Sequence, residues 1–180
     1  MARLIAALDH LVPTWRASGG QFLLAVSGGP DSMALLHLMH RVAPGRVQAA
    51  TVDHQLRPES AAEAAMVADF CAQTGVPHQI RYPVVPLSGN LASAARDARY
   101  ALLQAVMADC GAAYLVTAHH GDDQRETLLM RLARGSGVGG LVGVRARARL
   151  SEGGTVIRPL LGFAKAELVA VCEQAGLPYV

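Results

Sequence analysis

Apolar residues follow two alternating rhythms along this chain. Short, nearly continuous apolar runs mark strands at 21–26, 47–52, 78–85 and 114–118, with a shorter one near 155–161. Between them, helical spacing takes over. Leu4, Leu8 and Leu11 mark an opening helix, and further helices are predicted over 31–42, 60–74, 91–110, 122–134 and 164–175. Ser60-x-x-Glu63 reads as a capping box, and Gly75 as the stop of the same helix. Strands and helices in this alternation predict an α/β fold: a doubly wound parallel sheet with helices on both faces, Rossmann-like. Ligands of such sheets bind beyond the carboxyl ends of the strands, and Ser27, Asp53 and His119 each follow a predicted strand directly.

Composition narrows the class. The chain has 180 residues, 52% hydrophobic and only 4% aromatic, which suits one domain of helices packed on a sheet. No apolar stretch reaches membrane-span length and Arg3 is not followed by a signal-like core, so no membrane partner is expected and the cytoplasm is the expected location. The formal charge of +2 neither requires nor excludes a nucleic-acid partner. Lys165 is the only lysine, so the positive charge is almost all arginine, the side chain suited to bidentate phosphate contacts. Cys71, Cys110 and Cys172 stand far apart with no Cys-x-x-Cys pair and read as small apolar residues.

Three segments could carry chemistry. Ser27-Gly28-Gly29-Pro30-Asp31-Ser32 lies between a strand and a helix start, where unpaired amides and the helix dipole make an anion site. Gly28 and Gly29 permit close approach, Pro30 suits the first helical turn, and Ser27 or Ser32 offers a hydroxyl. No Gly-Lys-Ser/Thr follows, so this is not the Walker pattern. An ordinary capped turn would use the same residues. In His119-His120-Gly121-Asp122-Asp123-Gln124-Arg125-Glu126, Asp123 and Glu126 are three apart on a predicted helix and could hold an ammonium group; acidic residues at a helix start also complement its dipole. Asp53, His54, His119, His120, Asp122 and Asp123 form an alternative metal set for a metallophosphoesterase, which leaves the glycine turn without a purpose. Arg96 and Arg99 could reach a phosphate or lie on a solvated helix face. Arg145, Arg147 and Arg149 alternate, as an RNA-phosphate contact or an exposed edge would.

The turn at 27–32 resembles the pyrophosphate loop of the ATP pyrophosphatase superfamily, whose members cleave ATP between its α and β phosphates. Together with Val52-Asp53-His54-Gln55-Leu56-Arg57, Ala95-Arg96-Asp97-Ala98-Arg99-Tyr100, the stretch from His119 to Gly137, and Arg158-Pro159-Leu160-Leu161, it is similar to the tRNA(Ile)-lysidine synthetase family. The resemblance implies an adenine nucleotide α-hydrolase-like fold. It also implies ligation of free L-lysine to the wobble cytidine of an isoleucine tRNA with a CAU anticodon, with ATP and Mg2+. Ser27, Gly28, Gly29, Pro30, Asp31 and Ser32 would then cradle the phosphates, with Asp31 also near magnesium and no further metal ligand assigned. Val52 and Asp53 would meet the adenosine, Asp123 and Glu126 the lysine, and Arg96 or Arg99 the α-phosphate. His119 would contact phosphate or assist proton transfer.

Gln55 stands where the family commonly has glycine. Family members also continue past the position of Val180 into helical tRNA-binding domains. Residues 1–180 are therefore read as one catalytic domain, expected to bind ATP and to modify tRNA poorly alone. A tRNA thiolation enzyme of the same superfamily and a nucleotide-sensing module are the remaining alternatives. Oligomeric state stays open, a homodimer included.

Overall fold

The computed structural model describes residues 1–16, 19–84, 91–135 and 143–180, apart from the side chains of residues 10–16, 91 and 92. Its strands are β1 (Gln21–Ala25), β2 (Val47–Val52), β3 (His78–Arg81), β4 (Ala112–Val116), β5 (Arg147–Arg149) and β6 (Thr155–Ile157). The helices are α1 (Ala2–Arg16), α2 (Pro30–Val42), α3 (Ser60–Thr74), α4 (Leu91–Cys110), α5 (Gly121–Ala133) and α6 (Lys165–Ala175). They build one sheet in the order β3-β2-β1-β4-β6-β5.

Side chains on successive strand residues point to opposite faces, and β1 shows what that does to the core. Phe22, Leu24 and Val26 join Leu4 and Leu8 of α1, Val67 and Cys71 of α3, Leu168 of α6 and most of the apolar face of α2. Leu23 faces the other way, against Leu103, Val106 and Met107 of α4. Helices thus cover both faces, and the chain crosses the sheet when α4 carries it from β3 to β4. The order reverses between β1 and β4, so the crevice of the doubly wound sheet opens there.

Several details differ from the sequence reading. The sheet is not wholly parallel: β5 pairs antiparallel with β6, because a short hairpin joins them. β3 ends at Arg81, and the predicted end at Val85 lies outside the described residues. β4 begins two residues earlier than the apolar run suggested. Ser60 and Glu63 form no capping box: Glu59 is the N-cap, Ser60 Oγ donates to the Arg57 carbonyl, and Glu63 pairs with Arg57 at 2.9 Å. Gly75 does end α3, in the left-handed conformation. Leu11 falls within α1 at a position whose side chain is not described. Among the described residues, no helix is long and apolar enough to cross a membrane.

Candidate active site

The phosphate-type turn forms where β1 meets α2. Gly29 is the N-cap of α2 and Pro30 its first residue, so the first amides of the helix have no helical partner. Gly28 has φ +88°, a conformation that side chains rarely adopt, and a Cβ there would meet Met66 Cε at 3.3 Å. Ser32 fixes the turn from inside. Its Oγ accepts the Ser27 N–H at 3.1 Å and donates to the Gly29 carbonyl at 2.9 Å. That uses the Ser32 proton within the turn, which leaves the exposed Ser27 hydroxyl as the available donor.

A cavity of about 410 Å³ opens over this turn. Ser27, Gly29, Asp31 and Ser32 line it, with Val52, Asp53 and His54 after β2, Arg99 and Tyr100 on α4, and Thr117, His119 and Asp123 after β4. The three strand-end residues Ser27, Asp53 and His119 thus meet in one crevice. Gly28 and Pro30 shape the turn without lining the cavity, and Arg96 and Glu126 are exposed and outside its lining.

Local structure explains most of these placements. Asp53 is buried and its Oδ1 accepts the Gln55 N–H at 2.8 Å, a turn in which Gln55 takes φ +55°. His120 is the N-cap of α5: its Nδ1 accepts the Asp122 N–H, and Asp123 Oδ2 accepts the His120 N–H at 2.8 Å. Asp123 therefore has one foot in the capping box and one in the cavity wall. Asp122 instead accepts the Lys165 N–H and pairs with Arg125, outside the cavity lining. The other ring nitrogen of His120 lies 3.4 Å from Asp31 Oδ2, while Asp31 Oδ1 is buried with no hydrogen-bond partner.

Electrostatics set the states of the histidines. Burial, and after it the Arg158 guanidinium, pull His119 down to about 4, so it is neutral at pH 7 while its Nδ1 shares a hydrogen bond with Thr117 Oγ1 at 2.8 Å. Burial and Arg99 likewise lower His54, whose buried Nδ1 has no partner. The same burial pushes the Cys71 and Cys172 thiols up to about 11, and no cysteine lines the cavity. Among the described residues, no group of three or more His, Cys, Asp and Glu side chains could hold a metal ion, which removes the six-residue metal set as a cluster.

Two residues gain a place at the site that the sequence reading did not assign them. Arg158, 7% exposed, donates to the Tyr100 hydroxyl at 3.2 Å and ties the end of β6 to α4. His54 belongs to the Val52–Arg57 segment of the resemblance and has a role of its own only in the alternative metal set, yet it lines the cavity beside Asp53. For His54 the signal was there: a polar residue directly past a strand end. Arg158 follows the end of β6 directly, but it lies inside the strand read near 155–161, so the strand-end rule did not reach it.

Residues 2–180 match the family model described as the PP-loop domain. The chain is 52% identical over 181 residues to a tRNA(Ile)-lysidine synthase of Novosphingobium aromaticivorans, covering 97% of this chain and 55% of the relative. A tRNA(Ile)-lysidine synthase of Zymomonas mobilis is 46% identical over 165 residues, with 89% and 50% covered. The chain spans about half the length of the curated relatives it matches. Among solved structures, a U34-tRNA thiolase from Methanococcus maripaludis superposes with a TM-score of 0.74 at 19% identity, covering 89% of this chain and 59% of that one. At that identity the likeness is one of fold.

Proposed function

This chain belongs to the PP-loop domain family, and on that footing we propose that it is the catalytic domain of a tRNA(Ile)-lysidine synthase. One observation carries the proposal: a single crevice at the β1–β4 reversal is lined by the glycine turn, a half-buried arginine, a neutral histidine and a carboxylate. Each suits one part of a base-activating ligation.

ATP would lie with its phosphates at the start of α2, where the free amides and the Ser27 hydroxyl donate to them. Its adenosine would extend towards Val52 and Asp53. Asp31 Oδ1, buried and unpartnered, fits a magnesium ion held mainly by substrate phosphates and water. That ion supplies neutralisation of phosphate charge. Arg99 would face the α-phosphate and offset charge that builds there in the transition state.

The cytidine 2-carbonyl oxygen attacks the α-phosphorus, the α–β P–O bond breaks, and pyrophosphate departs with the electron pair. Asp123 would then hold the lysine substrate, with Glu126 one turn further out. After losing a proton, the ε-amine attacks C2 of the base. The C–O bond breaks, and AMP leaves. His119, neutral at working pH, is a hydrogen-bonding group in this scheme and adds no fixed charge against the lysine ammonium. No cysteine lines the crevice, which favours this reading over thiolation by a cysteine of this chain.

Exchange of labelled pyrophosphate into ATP tests the first half-reaction. With the isoleucine tRNA present and lysine absent, exchange is expected. Exchange without tRNA, or none with it, contradicts a base-adenylating step.

A further inference from the structure

At the end of the crevice away from β2, three guanidinium groups gather around one ring. Arg96 Cζ lies 5.1 Å and Arg99 Cζ 5.7 Å from the centre of the Tyr100 ring, and Arg158 donates to the Tyr100 hydroxyl. Arg158 is almost wholly buried, its second amino group donates to the Arg145 carbonyl at 2.8 Å, and its Nε has no partner. A buried cation is costly without an anion beside it. Arg96, Arg99, Arg145, Arg147, Arg149 and Arg158 form no ion pair among the described residues, nor do the separate Arg41, Arg46 and Arg134, whereas Arg3, Arg57, Arg81 and Arg125 all do.

The positive charge continues beyond the crevice. Arg158 N–H donates to the Ala146 carbonyl, so the exposed Arg145 lies beside the end of β6. β5 then runs antiparallel from Arg147 opposite Ile157 to Arg149 opposite Thr155, away from the crevice along the sheet edge. Its burial alternates: Ala148 packs towards α4, while Arg147 and Arg149 stay exposed. These two arginines share one face about 7 Å apart, a step over which a nucleic-acid strand presents further phosphates.

We infer that the β6–β5 rim is a phosphodiester track: Arg145, Arg147 and Arg149 take backbone phosphates of an RNA strand whose target base enters the crevice, and buried Arg158 anchors the track at the crevice end. The inference rests on the tRNA reading above and adds where the strand runs. In the sheet order, this rim is opposite the β2 side assigned to adenosine, so nucleotide and RNA reach the α-phosphorus from different ends. Free pyrophosphate shares the chemistry but not the shape, since the arginines lead out of the crevice along the edge.

The test compares the protein with R145Q/R147Q/R149Q, whose changes are all at exposed positions. Isoleucine tRNA binding is measured across a salt series, with ATP and inorganic pyrophosphate affinities alongside. Losing three phosphate contacts should lower the slope of log K against log salt by about two and weaken binding at least about tenfold at moderate salt. ATP affinity should stay within about twofold. The reversed pair R147E/R149E should bind tRNA more weakly than R147Q/R149Q at low salt. An unchanged slope and affinity, equal binding by the two pairs, or a loss confined to pyrophosphate overturns the track. If the unaltered protein binds ATP but no tRNA, the substrate reading itself fails and the track with it.

Discussion

Ser32 holds Ser27 in place through its side chain: the Ser27 amide donates to Ser32 Oγ at 3.1 Å, and the two hydroxyl oxygens are 3.3 Å apart. The turn that faces the cavity is therefore shaped by a buried hydroxyl just inside the helix. Ser32→Ala leaves the Ser27 amide and the Gly29 carbonyl without this partner, a loss of about 1–2 kcal/mol in stability. ATP affinity should fall about tenfold, as calorimetric titration would show. An S32A protein that binds ATP as tightly as the parent would mean that the turn keeps its shape without the hydroxyl.

Asp31 has one carboxylate oxygen near His120 and the other buried without a partner. Asp31→Asn keeps the size and removes the charge. In magnesium, ATP affinity of D31N should fall by about tenfold or more, while affinity in chelator should change little. Equal losses in both conditions would assign Asp31 to the turn rather than to the metal.

Gln55 occupies a left-handed backbone position, φ +55°, held by the bond from its amide to Asp53. A side chain in that region carries strain of about 1 kcal/mol, which glycine relieves. Gln55→Gly should raise the melting temperature by about 2–4 °C. A lower melting temperature would show that the Gln55 side chain contributes contacts worth more than the strain.

The pH dependence of stability follows from His119. Its pKa in the fold, about 4, lies below its ordinary value, so the unfolded chain binds the extra proton first as pH falls. Stability is therefore full above about pH 6.5 and is lost as pH drops through the range down to about 4. His37, His54 and His78 are also lowered and act in the same direction. His119→Gln should flatten the thermal stability profile over this window without removing its slope. An identical profile would contradict the burial of a neutral imidazole at this position.

Much of this architecture was legible because β1 and β2 are buried strands and write near-continuous apolar runs. The helix α4 was legible to the residue at both ends. The end of α3 was legible too, since Gly75 is a stop that few other residues can provide. The sheet edge was less so. The short strand read near 155–161 is β6, confined to Thr155–Ile157, whereas β5 was read only as alternating arginines, and its antiparallel pairing is set by the hairpin between the two. The Ser60-x-x-Glu63 pattern failed because Arg57 lies close enough to draw Glu63 into an ion pair.

At the site, the strand-end rule found Ser27, Asp53 and His119, because topology alone carries chain ends to one edge of the sheet. Side-chain direction is decided by contacts a linear pattern does not contain. Helical spacing puts Asp123 and Glu126 near one face, yet the capping box turns Asp123 to the crevice while Glu126 stays exposed. Likewise, the Arg96-Asp97-Arg99 segment reads as a mixed charged face, whereas both arginines lie over the Tyr100 ring.

The most direct measurement follows carbon-labelled lysine. The protein is incubated with ATP, unmodified isoleucine tRNA of CAU anticodon and the labelled amino acid, and AMP and tRNA-bound label are counted together. At whatever rate this domain turns over, label should appear on the tRNA in equal amount with lysine-dependent AMP, and D123N should lose both. AMP released at the same rate without lysine, on tRNA that stays unlabelled, would contradict the assignment.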